Sequence, residues 1–356
     1  MRNNEPAYLR IYYRLRDAIV RKAFRYGQRL PSKRALAEQT GLSVITISHA
    51  LELLVDEGYA VARERSGYYV SYNDADPFLS QEERAEPVRS GEVREEFVMP
   101  PVPEFSFNSY ARAVRKVLND EGERLFVKSE NQGRTNLRQA IAAYLSRNRG
   151  INVSADQILV GSGAEYLYGM AVSMLGRDMI YAVEDPSYQM IEKVYRQNGV
   201  AVEKLRMGDN GIESRELKRA EAGVLHVTPF HSYPSGATAD ASKRTEYVNW
   251  AKAREGYIIE DDYDSEFSVK SRREDTLFSM EPEEHIIYIN TFSRTISHAT
   301  RIGYMVLPEK KAASMLERIG SYSCSVPVLD QEVLRELLDS GEFERHINRV
   351  RRILKK

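Results

Sequence analysis

A single cysteine, Cys324, stands in 356 residues, so neither an internal disulfide framework nor a multi-cysteine metal site is available. Long apolar runs are missing as well; none approaches the roughly 18 to 20 residues that a membrane span needs. The chain starts Met-Arg-Asn-Asn-Glu-Pro with no apolar segment behind it, and a secretory leader is not expected. No sign of charge is in excess, with 51 Lys and Arg against 52 Asp and Glu. The apolar share, 42%, is enough for a real core and too high for a disordered chain. At about 150 residues per domain, the length predicts two or three domains in a soluble, cytoplasmic protein.

The neutral total conceals a division. Residues 1–72 hold twelve Lys or Arg against seven Asp or Glu, whereas residues 73–96 hold eight acids and three arginines. The acidic stretch is poor in apolar residues, contains Pro77 and Pro87, and shows neither helical nor strand period. It reads as a solvated linker rather than a charged surface helix. The expected division is therefore a basic unit at 1–72, an acidic linker at 73–97 and a body at 98–356.

In the basic unit Tyr8, Ile11, Tyr12, Leu15, Ala18 and Ile19 recur at helical spacing. After Gly27, Leu30-Pro31-Ser32 reads as a strand end leading to an N-cap serine, and a second helix runs from Lys33 to about Thr40. Gly41 ends it, and Ser43 caps a third helix with Val44, Ile47, Leu51 and Leu54 facing inward. Two short helices across a tight turn make a helix-turn-helix, and Ala60–Arg63 with Tyr68–Ser71 makes a hairpin wing. Thr46, Ser48 and His49, with Ile45 beside them, are the outward residues of helix three and suit a major groove. Lys33 and Arg34 are expected on phosphates, and Arg63 and Arg65 lie near the wing tip. The plainer alternative is a small helical cap with ordinary surface charge. The segment RLPSKRALAEQTGLSVITISHALELLVDEGYA, with SGYYV after it, resembles a GntR-type winged helix over essentially all of residues 8–71.

From Phe97 on, short apolar runs at Gln157–Val160, Asp178–Val183, Gly223–Val227, Gly256–Ile259 and His285–Ile289 alternate with helix-like segments. That alternation predicts a mostly parallel sheet with helices on both faces. Four motifs follow in order. Leu159-Val-Gly-Ser-Gly-Ala-Glu-Tyr166 is a strand leading into a glycine-rich helix start, which can offer backbone N–H groups to a phosphate. Glu184-Asp-Pro-Ser-Tyr188 puts an aromatic at a strand's C-terminal end, and alone it reads as a turn with a packing tyrosine. Tyr257-Ile-Ile-Glu-Asp-Asp-Tyr-Asp-Ser-Glu-Phe267 leads a buried strand into carboxylates, where open α/β sheets bind ligands; a solvated acidic loop is its alternative. Asn290-Thr-Phe-Ser-Arg-Thr-Ile-Ser-His-Ala-Thr-Arg-Ile-Gly303 spaces hydroxyls and arginines as a phosphate monoester requires.

Taken together, these motifs resemble the fold type I aminotransferase body of MocR-type regulators, the GabR/PdxR group, over most of residues 98–350. In that family a GntR winged helix is linked to a domain that binds pyridoxal 5′-phosphate (PLP). The resemblance implies that Gly163 and Ala164 meet the phosphate and that Tyr188 stacks on the pyridine ring. It implies Asp261 on the ring nitrogen, Tyr263 on the ring oxygen, and Thr291, Ser293 and Arg301 in the phosphate cup. Thr228-Pro-Phe-His-Ser-Tyr-Pro-Ser-Gly236 is similar to the family's TPSHQ-x-PTG loop, with Ser232 where glutamine stands. Two departures accompany it. Arg294 occupies the place of the lysine that forms the Schiff base, and a guanidinium has no free amine lone pair. The sequence also stops at Lys356, where the family continues into a C-terminal subdomain.

The expected function is a homodimeric regulator that binds double-stranded operator DNA and senses PLP, or a PLP adduct of a small amine or amino acid, without a covalent bond. The alternatives are a PLP-dependent aminotransferase or lyase, and a regulator whose body serves only dimerisation.

Overall fold

The computed structural model describes residues 6–63, 66–72, 105–263, 265–268 and 274–355. The acidic linker and Arg65, each given a role above, lie outside the described residues. The chain divides into two compact units, Met1–Val98 and Met99–Lys356.

In the first unit α1 (Ala7–Val20), α2 (Lys33–Thr40) and α3 (Val44–Asp56) precede a hairpin of β1 (Ala60–Arg63) and β2 (Gly67–Val70). Each helix start is specified locally. The Ser32 hydroxyl accepts the Ala35 N–H at 3.1 Å, and the Ser43 hydroxyl accepts the Thr46 N–H at 3.1 Å. Between them Gly41 takes φ +67°, a conformation in which a side chain is strained, so α2 ends there and the chain turns. Ile11, Leu15 and Ile19 of α1 meet Ile47, Leu51 and Leu54 of α3 in one buried core. Each such side chain stabilises the unit by roughly 1.5–3 kcal/mol. Val44 departs from expectation: it is 46% exposed, and Ala50 takes the inward place instead. The hairpin also gains a third row, since the Leu30 N–H donates to Tyr68 and the Val70 N–H to Gln28.

The second unit is built on an eight-stranded sheet of order β3-β10-β9-β8-β7-β4-β5-β6. Its strands are β3 (Ile158–Gly161), β4 (Tyr181–Asp185), β5 (Val202–Gly208), β6 (Gly211–Ile212), β7 (Val224–Val227), β8 (Tyr257–Asp261), β9 (Ile286–Thr291) and β10 (Gly303–Val306). Strands β5, β4, β7, β8 and β9 run parallel; β10 is antiparallel to both its neighbours, and β6 to β5. The five apolar runs read from sequence are five of these strands. The unforeseen β10 inserts between β3 and β9 and places Gly303 opposite both Gly161 and Thr291.

Helices cover both faces. Among them, α4 (Phe107–Glu121) and α5 (Thr135–Arg149) pack with the helices Ala241–Arg254, Val328–Asp339 and Glu342–Leu354 over one core. On the other core lie α6 (Ala164–Leu175), α7 (Gln189–Gln197) and the helix Ala312–Arg318. One edge of the sheet therefore gathers the C-terminal ends of β3, β4, β7, β8 and β9. That edge is where open α/β sheets take their ligands.

Candidate functional site

Along this edge the residues singled out by sequence fall into separate contacts. Gly163 caps α6 with φ +94°, and a Cβ built there would stand 3.2 Å from an Arg301 guanidinium nitrogen. Absence of a side chain thus lets Arg301 lie against the start of α6, beside the half-buried Ala164. Arg301 pairs with Glu165 at 3.0 Å and is itself held at φ +47°. A non-glycine residue in that region stores strain on the order of 1 kcal/mol, and such strain concentrates at ligand sites. His231, φ +59°, is a second instance on the same edge.

Thr291 is buried at the end of β9, with Ser293 half-buried after it. The Arg294 guanidinium lies over the Tyr263 ring at 5.7 Å, and the Tyr263 hydroxyl donates to the His231 carbonyl at 2.8 Å. Tyr188 precedes α7, is 43% exposed, and meets Tyr233 edge-on with centroids 6.4 Å apart. Glu184 ties the intervening loop down. It accepts the Ser232 hydroxyl at 2.6 Å and the Thr228 N–H at 3.1 Å, while burial pushes its carboxyl up to about 8. Ser232 thus has a firm local partner of its own.

Asp261 stands apart from the other residues named in advance. It is 4% exposed at the end of β8, and one carboxylate oxygen accepts a short bond from the Tyr168 hydroxyl of α6. His226 of β7 brings Nε2 to 3.6 Å of the same oxygen, and its Nδ1 meets the Tyr195 hydroxyl at 2.6 Å. The other oxygen, Oδ1, is buried without a hydrogen-bond partner. No Arg or Lys among the described residues pairs with this carboxylate. Tyr168, Tyr195 and His226 were missed in the sequence because they belong to no motif. Their signals were slight: a histidine inside the apolar run Val224-Leu-His-Val227, and a tyrosine on the inner face of a glycine-led helix.

On the winged helix Arg34 is exposed at the start of α2, and Arg63 is exposed with its guanidinium 4.5 Å from the Tyr69 ring. Lys33 and Ser48, both expected at DNA, meet each other. The Lys33 ammonium donates to the Ser48 hydroxyl at 2.8 Å, and that hydroxyl donates to Glu52 at 2.8 Å. Lys33 also lies 5.4 Å from the Tyr68 ring. Ser43 and Thr46 share a hydroxyl contact at 2.9 Å, and His49 meets the Tyr8 ring edge-on at 6.0 Å.

The comparisons with known proteins assign this mostly parallel sheet to an aminotransferase-type body. Residues 104–356 match the family described as aminotransferase class I and II, and the chain belongs to it. Residues 7–70 match the bacterial regulatory proteins of the gntR family. The HTH-type transcriptional regulator YdeL of Bacillus subtilis is 29% identical over 99% of this chain and 77% of its own length. The HTH-type pyridoxine biosynthesis transcriptional regulator PdxR of Corynebacterium glutamicum is 28% identical, over 95% and 74%. The probable rhizopine catabolism regulatory protein MocR of Rhizobium meliloti is 25% identical, over 98% and 75%. Among solved structures, the α-aminoadipate aminotransferase LysN of Thermus thermophilus superposes with a TM-score of 0.62 at 24% identity. An archaeal alanine:glyoxylate aminotransferase gives 0.63 at 20%. These two cover 71% and 69% of this chain, which spans only 65% and 63% of their lengths. Among the described residues no helix is long and apolar enough to cross a membrane.

Proposed function

We propose that the chain is a cytoplasmic, DNA-binding transcriptional regulator whose body binds PLP, or a PLP adduct of an amine or amino acid, reversibly. The domain roles are those expected above: residues 1–72 contact operator DNA and residues 98–356 sense the ligand. The observation that carries the ligand reading is Asp261, a buried carboxylate with an unsatisfied oxygen and, among the described residues, no Arg or Lys beside it. A protonated ring nitrogen supplies both the donor and the positive charge that this group lacks. Arg301 and the Ala164 N–H at the start of α6 suit a phosphate, with Thr291 and Ser293 contributing hydroxyls; the Gly163 N–H donates to the Gly161 carbonyl at 2.9 Å, and Gly163 serves by leaving room. Tyr188 offers a ring face and Tyr263 a phenol. When bound, PLP supplies an electrophilic aldehyde on an electron-withdrawing ring, the means by which amines are recognised.

Arg294 does not fit the usual attachment. A guanidinium stays protonated and cannot take the place of a lysine amine, so the site holds its ligand by charge and hydrogen bonds alone. Exposed Phe107, Phe126 and Val127, at 79%, 91% and 61%, leave apolar surface on the body and support a homodimer. The Arg301–Glu165 pair favours a second reading, in which the cup is closed and the body only dimerises.

PLP titration of the full chain separates these readings. Wild type should bind reversibly and carry no cofactor after borohydride. Arg294→Lys, checked for folding by circular dichroism, should gain a visible band and a borohydride-fixed cofactor on the introduced side chain, seen by peptide mass spectrometry. A folded Arg294→Lys that stays unlabelled at saturating PLP removes the PLP site and leaves the dimerisation reading.

A further inference from the structure

The face of α3 that a winged helix turns toward DNA carries an unusual surface. Ile45 is 72% exposed and Val44 46% exposed, side by side in the first turn. One exposed isoleucine is ordinary on a protein surface. Here, however, every polar neighbour that sequence reasoning put forward for reading bases has a partner inside the unit. Thr46 is joined to Ser43, Ser48 to Lys33 and Glu52, and His49 to the Tyr8 ring. The first turn of α3 also holds no charged side chain. What α3 presents without a partner is a pair of branched aliphatic groups, with exposed Arg34 and Arg63 in the same unit as phosphate ligands.

In the major groove of B-DNA only thymine offers an apolar group, the C5 methyl, and aliphatic side chains pair with it. We infer that Ile45 and Val44 are specificity-determining residues that read thymine methyls in each half-site. The inference rests on the DNA-binding reading above and sharpens it. Hydroxyl groups already hydrogen-bonded to their neighbours, as those of Thr46 and Ser48 are, gain little by exchanging one partner for another. The aliphatic pair loses exposed area outright when a methyl covers it.

The test uses the full chain and a duplex library with a randomised 30-base-pair centre. After selection, the best-bound duplex is resynthesised with deoxyuridine replacing thymidine one position at a time, which removes a single methyl. Deoxyuridine at one or two positions per half-site should raise Kd about fourfold each, the worth of one buried methyl-sized group, and elsewhere should change nothing. Ile45→Ala, at an exposed position that leaves the core intact, should bind the thymidine duplex more weakly and lose the thymidine–deoxyuridine difference at its position. Thr46→Ala should keep that difference. Indifference to deoxyuridine at every position, or a difference that survives in the Ile45→Ala, Val44→Ala double variant, overturns the inference while leaving DNA binding in place. A selection that enriches no sequence overturns sequence-specific DNA binding itself, and the inference with it.

Discussion

Asp261 and Asp262 follow one another at the end of β8, yet their carboxylates go to opposite faces of the sheet. Asp262 is 1% exposed, receives the Arg149 guanidinium at 2.6 Å and the Tyr288 hydroxyl at 2.7 Å, and has the buried Glu260 and Glu266 nearby. Asp261 has Tyr168 and His226 and, among the described residues, no guanidinium or ammonium. Each aspartate has one hydrogen-bonded oxygen and one buried oxygen without a partner. Their difference is the cation. A buried carboxylate neutralised by its own arginine is structural, whereas one without such a partner can receive a charge from outside.

The largest effect should come from breaking the neutralised side. Arg149→Ala leaves Asp262, Glu260 and Glu266 buried together without their cation, at a cost of roughly 3–5 kcal/mol in the stability of the body. Chemical denaturation followed by circular dichroism measures it, and a loss below about 1 kcal/mol would show that Asp262 is not held by this pair.

The opposite outcome is expected one residue earlier. Asp261→Asn removes an uncompensated buried charge, so stability should stay level or rise. Affinity for PLP should fall about tenfold to a hundredfold, the usual worth of a hydrogen bond to a charged group. Equilibrium dialysis against PLP checks the affinity. If Asp261→Asn binds as tightly as wild type, the contrast between the two aspartates carries no functional meaning.

Much of this arrangement is legible in the amino-acid sequence. Runs such as Ile258–Ile259 and Ile286–Ile289 announce buried parallel strands, since a strand covered on both faces needs apolar residues throughout. Strand β5 escaped notice because it lies next to the short β6 at one side of the sheet and carries Glu203, Lys204 and Arg206. Strand β10 escaped because it follows directly on the arginine-rich motif. At the C-terminal edge of the sheet, motifs pointed to Gly163, Asp261 and Arg301 because each sits at a strand or helix end with its own local signature. The partners of Asp261 were hidden for the converse reason. Tyr168 is 93 residues from it in sequence, and only sheet order brings α6, β7 and β8 together. On α3, spacing placed Ile47, Leu51 and Leu54 inward correctly but misassigned Val44, and it gave no sign of the bond between Lys33 and Ser48, which joins residues 15 apart.

The smallest effect expected is a pH dependence, and it tests whether the acids beside Asp262 are held neutral. Burial, reinforced by Asp262, pushes Glu266 from its ordinary 4.5 to about 7, and burial takes Glu260 and Glu184 to about 8. A carboxyl whose folded value is raised contributes stability that is fully present below its unfolded value and is lost as pH rises through the folded one. His346, pushed down to about 4 by burial, acts in the other direction, but its contribution is complete above 6.5. Between pH 6.5 and 8 the acids therefore act alone among these four groups, and the body should become less stable across that window. Glu266→Gln copies the neutral form: its amide oxygen can still accept from Asn290, which donates to Glu266 at 2.8 Å in the parent. The variant should match wild type only below about pH 4.5, where Glu266 is protonated in both folded and unfolded chains, to within the cost of a buried amide. Between pH 6.5 and 8 it should lose less stability than wild type by on the order of 1 kcal/mol. Parallel slopes in urea denaturation across the window would mean that Glu266 is already ionised beside Arg149. The charge of Asp262 would then be shared rather than singly neutralised, and the contrast with Asp261 would narrow.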